Sequence, residues 1–247
     1  MRNIKLTIEY DGTGYHGWQS QINARAVQDV VSAALKELTG EEISLSGCSR
    51  TDTGVHALGQ VANFHTTSNI PADKFTFALN SMLPEDIAVV RSEEADMEFH
   101  SRFSAKGKKY RYLIYNSPFR SALLRRRAWH VFYGLDTGLM EKGARHFLGA
   151  HDFSAFMATG SSVKTTVRTI NEISISTDKG DKELITLEIS GDGFLYNMVR
   201  IIAGTLVQVG YGKIAPDEIP GIIESLDRKK AGKTAPAHGL YLVEVFY

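Results

Sequence analysis

The chain has 247 residues, 43% of them apolar and 23% charged, and its 28 basic and 28 acidic side chains balance to a formal net charge of zero. This composition excludes a disordered or collagen-like chain, and the length suits one large domain or two of roughly 120 residues, two being the expectation. A lone cysteine, Cys48, excludes a disulfide framework or a multi-cysteine zinc site within one chain and points to a reducing, cytoplasmic setting. No charge-free run of about 18 apolar residues occurs and no apolar leader follows Met1, so neither membrane insertion nor secretion is expected.

Ile4 to Tyr10 alternates apolar and polar side chains, the period of a strand with one buried face. A glycine-rich loop, Asp11 to Trp18, follows. Val27, Val30, Val31, Ala34, Leu35 and Leu38 then fall at helical spacing, and Gly40 is placed to end that helix. Ile43 to Ser46 and Val61 to His65 read as short strands around the loop Cys48 to Gly59, and Pro71 to Met82 reads as a helix. Near residue 105 the pattern restarts with a strand over Lys109 to Tyr115 and a helix over Leu139 to Phe147. A polar loop near Gly160 to Thr166 comes next, then a hairpin of Thr169 to Ser176 with Leu184 to Ser190. An apolar helix from about Leu195 to Gly210 and a closing strand over Gly239 to Tyr247 complete the chain. Hairpins joined by few residues predict an α+β fold, a largely antiparallel sheet with helices on one face, and the similar order of elements in 1–104 and 105–247 suggests two related subdomains.

Charge is segregated along the chain. No Asp or Glu occurs from Ser101 to Leu135, a span that holds Arg102, Lys106, Lys108, Lys109, Arg111, Arg120, Arg125, Arg126 and Arg127. Within it Tyr110 and Tyr112 share one strand face among basic neighbours, a pattern suited to RNA, whose unstacked bases rest on aromatic rings while phosphates meet cations. Core aromatics at strand spacing produce the same pattern.

The densest candidate for chemistry is Ser49-Arg50-Thr51-Asp52-Thr53-Gly54-Val55-His56-Ala57, in which Asp52 is the sole carboxylate between Ile43 and Ala72. A loop aspartate more often serves its own turn through an Asx hydrogen bond, so a second feature is needed. Arg200 lies in an apolar helical segment that has no carboxylate of its own, and an arginine there must reach water or find an anion. Pairing with Asp52 would keep that carboxylate ionised and aimed. His56 with His65 could suggest a metal site, but the H-x-E and P-C-x-x-C pattern of zinc deaminases is absent, and Cys48 reads as a small buried hydrophobe rather than a nucleophile.

These features, in this order, resemble the TruA-type tRNA pseudouridine synthases along essentially the whole chain. The stretch Arg50-Thr51-Asp52-Thr53-Gly54-Val55-His56-Ala57 carries most of the likeness, with Tyr10-Asp11-Gly12, Gly17-Trp18-Gln19-Ser20-Gln21, Gly59-Gln60-Val61-Ala62, Arg102-Phe103-Ser104-Ala105, Asp152-Phe153, Met198-Val199-Arg200 and Gly239-Leu240-Tyr241-Leu242. Ser49 stands where the family usually has glycine and Thr53 where alanine is frequent. The resemblance implies an isomerase that converts uridine to pseudouridine at positions 38 to 40 of the tRNA anticodon stem-loop. It implies one antiparallel sheet shared by the two subdomains with a central cleft between them, implies a homodimer, and requires neither cofactor nor metal. It makes Asp52 the catalytic aspartate, Tyr110 the ring packed on the target base, Arg200 the cation beside the aspartate, and Arg50 the group filling the space of the flipped base. Phe99, His100, Ser101, Arg102 and Phe103, with Gly160, Ser161, Ser162, Val163 and Lys164, would meet the tRNA. A protein that binds RNA without turning it over is the competing expectation.

Overall fold

The computed structural model describes residues 1–160, 163–177, 180 and 183–247. Its elements in chain order are β1 (Arg2–Tyr10), α1 (Val27–Thr39), β2 (Ser46–Gly47), β3 (His56–Thr66), α2 (Phe75–Asn80), β4 (Ile87–Ala95), β5 (Gly107–Asn116), β6 (Trp129–Val131), α3 (Thr137–Arg145), β7 (Gly149–Asp152), β8 (Val167–Thr177), β9 (Leu184–Gly191), α4 (Met198–Gly210), α5 (Ile219–Glu224) and β10 (Leu240–Phe246). The chain divides into two compact units, one of Met1–Lys106 with Tyr241–Tyr247, the other of Gly107–Leu240. The sequence reading had assigned the closing strand to the second segment; by packing, its residues from Tyr241 onward group with the first.

In the first unit β1 runs antiparallel between β3 and β4. Ile4, Leu6 and Ile8 of β1 are fully buried, as the alternation predicted. Tyr241 and Leu242 of β10 pair in parallel with His56 and Ala57 of β3. Helix α1 buries Val27, Val31, Ala34 and Leu35, and Gly40 ends it in the left-handed conformation, φ 72°, with its N–H on the Lys36 carbonyl. One expectation fails here and another holds in a shorter form. The strand proposed over Ile43 to Ser46 shrinks to Ser46–Gly47 paired with β3, whereas the helical segment proposed over Pro71 to Met82 is present over residues 72–80, as a 3-10 turn, Ala72–Lys74, running into the six-residue α2. Strand β4 was missed because an extra residue interrupts its register between the pairs Thr7↔Arg91 and Ile8↔Val89. Burial therefore jumps from Ile87 and Val89 to Ser92, and no single period-2 phase survives in the sequence.

In the second unit β9 lies antiparallel between β5 and β8, β7 pairs antiparallel with β8, and the short β6 runs parallel to β5. Asp136 caps α3 through a hydrogen bond from the Leu139 N–H to its carboxylate. Helix α4 is buried around most of its circumference. A side chain at Gly210 would enter Met140 of α3, which is how closely the two helices approach. The predicted start of α4 at Leu195 moves to Met198 because Asn197, with φ 60°, turns the chain at the helix entrance. Each unit is thus α+β with largely antiparallel pairing, and no helix among the described residues is long and apolar enough to cross a membrane.

Candidate active site

Asp52 sits in an irregular loop between β2 and β3 whose backbone is held on several sides. A bulge between Ile8 and Tyr10 shifts the end of β1, and the Tyr10 hydroxyl shares a 2.8 Å hydrogen bond with the Thr51 hydroxyl. Gly17, at φ 85°, lies so close that a Cβ would stand 2.0 Å from the Thr51 carbonyl oxygen. Gly12 makes an equally close approach to the Val55 carbonyl. Only glycine allows two loops to touch in this way. Gly54, at φ 78°, reverses the chain after Asp52, with the Val55 N–H on the Asp52 carbonyl at 3.1 Å and its own N–H on the Tyr15 carbonyl at 3.3 Å. Upstream, fully buried Gln60 donates from Nε2 to the Ser49 carbonyl at 2.6 Å and accepts from the Ser49 N–H at 3.4 Å. Arg50 stays exposed, its Nε on the Gln19 carboxamide oxygen at 2.9 Å. The Asp52 side chain itself is half-buried.

His56, which the sequence raised only as a metal ligand, is a buried strut. Its ring stacks on Tyr241 at 4.7 Å, and its Nδ1 faces both the Gly12 N–H and the Asp11 carboxylate at 3.1 Å. One nitrogen cannot accept from the first and donate to the second at once. A further tie runs from the Tyr15 hydroxyl to Asp86 Oδ1 at 2.6 Å. Burial, with the Asp86 carboxylate, pushes that phenol up to about 12. Cys48 is buried beneath this loop, and burial together with the neighbouring Cys48 thiol raises the pKa of the Tyr247 hydroxyl.

Tyr110 and Arg200 belong to the second unit. Tyr110, on β5, is 7% exposed and meets Phe194 edge to face at 5.1 Å. Tyr112 is a core residue: fully buried, with its hydroxyl on the Pro236 carbonyl at 2.7 Å and its pKa raised by burial against the opposing pull of Arg200. The half-buried Arg200 donates from Nε to the Ala235 carbonyl at 2.8 Å and from Nη1 to Asn197 Oδ1 at 2.6 Å, while the Ala235 N–H returns a bond to the Arg200 carbonyl. Lys109 and Arg111 point to the opposite face from the two tyrosines and both grip Glu188 of β9, at 2.7 and 2.8 Å. They are therefore internal ion pairs rather than members of an open basic face. Arg102, Lys106, Arg120, Arg125, Arg126 and Arg127 are exposed.

Of the residues expected to meet RNA, Phe99 and His100 are half-buried, Ser101 is fully buried, and Arg102 and Phe103 project outward. Gly160, Val163 and Lys164 are exposed, and Ser161 and Ser162 lie outside the described residues. The supporting residues Tyr10, Gly17, Gln60 and His56 were not assigned roles from sequence. Their signal was present as short stretches far apart in the chain, but nothing in one sequence says that these stretches touch.

A family profile described as tRNA pseudouridine synthase matches residues 6–104 and 144–247. Relatives named tRNA pseudouridine synthase A are 64% identical in Acetivibrio thermocellus and 60% identical in Ruminiclostridium cellulolyticum, each over the full length of both chains. Among solved structures, an H/ACA RNP bound to a substrate RNA containing 2'-deoxyuridine is similar over 83% of this chain and 44% of that one, with 11% identity and a TM-score of 0.38. With profile matches in both halves and full-length identity of 60% and 64% to isomerases of this name, the chain belongs to the tRNA pseudouridine synthase family.

Proposed function

We propose that this isomerase acts on uridines 38 to 40 of the tRNA anticodon stem-loop, in the cytoplasm and as a homodimer, with Asp52 as its catalytic carboxylate. The carrying observation is how the Asp52 loop is built. Gly12, Gly17 and Gln60 pack on or bond the backbone of Val55, Thr51 and Ser49, and Tyr10 bonds the Thr51 hydroxyl, so that separate parts of the chain keep a carboxylate in a fixed position without the loop having to order on binding.

The reaction breaks the N1 to C1′ bond, turns the uracil and joins C5 to C1′; the C5 proton leaves and N1 regains one, so atoms and charge balance with no redox carrier. Whether the carboxylate adds to the base, traps C1′ as an ester or removes a sugar proton, it must be ionised to do so, and Arg200 is the cation assigned to that task. The target base has to leave its stack first, a cost of about a few kcal/mol. Tyr110 is the ring assigned to receive it and Arg50 the group assigned to fill the space it vacates.

Tritium release from tRNA labelled at uridine C5 tests this reading. Native protein should release tritium, with loss mapping to the three anticodon-arm positions. Asp52→Asn should lower the rate by about a thousandfold or more while tRNA binding persists, the scale on which loss of a nucleophile or base is felt. Native protein that binds tRNA but releases nothing would leave an RNA-binding protein without turnover.

A further inference from the structure

Asn197 stands at the entrance of α4, where an asparagine ordinarily caps the helix by accepting a hydrogen bond from a backbone N–H two or three residues on. It does not do so here. Its side chain makes no bond to the helix N-terminus, and its backbone is left-handed, φ 60° and ψ 7°, where a cap is usually extended. The carboxamide oxygen faces the guanidinium of Arg200 instead, Oδ1 accepting from Nη1 at 2.6 Å. A guanidinium has only donors, so this contact decides which end of the amide is turned towards it.

The second hold on Arg200 is the Ala235 carbonyl, which accepts from Nε at 2.8 Å. Two nitrogens of one rigid plane, bonded to two separate acceptors, leave that plane little room to tilt. The Ala235 acceptor is itself fixed. Its N–H bonds the Arg200 carbonyl at 3.0 Å, and Arg228 braces the residues before it, donating to the Gly232 carbonyl at 2.9 Å and to the Thr234 hydroxyl at 3.1 Å. Neither acceptor carries a formal charge. On β5 the arrangement is the opposite, since Lys109 and Arg111 are both held by the carboxylate of Glu188. An uncharged acceptor sets the direction of a cation without cancelling its field.

We propose that Asn197 is a positioning residue for Arg200: its carboxamide, diverted from the helix cap, sets the guanidinium plane together with Ala235 and leaves the positive charge undiminished for the catalytic carboxylate. The inference rests on the proposed reading of Asp52 and Arg200 as the anion and cation of the reaction, and adds to it a residue that touches neither base nor ribose.

The test uses the full chain labelled with 15N-arginine, the Arg200 Nε–H signal being assigned by its loss in Arg200→Lys. Glycine adopts the left-handed backbone without strain, so Asn197→Gly removes the carboxamide alone. In that variant the Arg200 Nε–H should exchange with water about tenfold faster while Tm stays close to native. The kcat for tritium release should fall about tenfold, with KM for tRNA unchanged. Asn197→Asp keeps an acceptor at the same φ, so exchange should stay slow, yet the acid limb of the kcat profile should move to higher pH, because a second carboxylate on Arg200 disfavours ionisation of the first. Tyr112 of β5, which also feels Arg200, is kept protonated by burial and does not supply that limb. Unchanged exchange or unchanged kcat in Asn197→Gly overturns the positioning role. An acid limb unmoved in Asn197→Asp overturns the argument from charge. Tritium release that is lost in Asp52→Asn but native in Asn197→Gly overturns this proposal alone, whereas no release from native protein overturns the reading beneath it as well.

Discussion

Glu188 shows how one side chain can decide the meaning of a basic cluster. Burial pushes its carboxyl up, but hydrogen bonds and charge from Lys109 and Arg111 outweigh that and hold it below the ordinary carboxylate range. A carboxylate depressed in the folded state contributes stability that is present above its unfolded pKa and is lost as pH falls through the folded value. Glu188→Gln should therefore lower Tm near neutral pH by an amount corresponding to about 1 kcal/mol, modest because all three groups keep some solvent. The gap to native protein should narrow as pH falls below the ordinary carboxylate range and through the depressed folded value of Glu188. Thermal unfolding at pH 7 and pH 3.5 checks this; an equal gap at both would refute the pairing. The same residue explains a limit of sequence reading. Lys109 and Arg111 looked available to phosphate because Glu188 is 77 residues away from Arg111 along the chain, and strand register alone brings them together.

At the level of elements, α4 is the clearest case of backbone packed on backbone. A Cβ at Gly204 would lie 1.8 Å from the Lys233 carbonyl oxygen, and one at Gly232 would meet the Thr205 backbone at 2.6 Å. Thr205 Oγ1 accepts from the Gly232 N–H at 2.9 Å, and three residues on Ala235 bonds Arg200 through both its backbone groups. Gly204→Ala must push this segment away, at a cost of about 1 to 3 kcal/mol, and should loosen Arg200 as it does so. The expected result is a lower Tm together with a fall in tritium release greater than the loss of folded protein; an unchanged Tm would contradict the close approach. Helices α1 and α4 were legible because their apolar periodicity runs uninterrupted and glycines punctuate it. Strand β4 and the single 3-10 turn before α2 were not, since a bulge and a change in helix type alter local phase without altering composition. The Asp52 loop was legible as a motif, whereas the supports that give it shape are long-range and had no local signature.

For the molecule as a whole, the chain's order of connection matters more than its length. The second unit, Gly107–Leu240, is spliced into the sequence of the first, which is completed by Tyr241–Tyr247. Removing residues 241–247 should strip the partner of His56 and Ala57 from β3, the stacking face of His56, the Ser101 contact of Tyr247 and the Phe246 carbonyl that receives the Lys106 N–H. Hydrogen exchange should then show β3 amides losing protection while β8 and β9 keep theirs. Retained protection in β3 would mean that β10 is dispensable to the first unit.

The pairing of His56 with Tyr241 also has a bearing on biosynthesis. A ribosome delivers His56 early and Tyr241 only after the whole of the intervening unit, so the first unit waits through most of translation with one stretch of strand open to strangers. A nascent chain stalled anywhere before residue 241 would carry the aspartate motif in full and yet lack the strand that pairs beside it at His56 and Ala57.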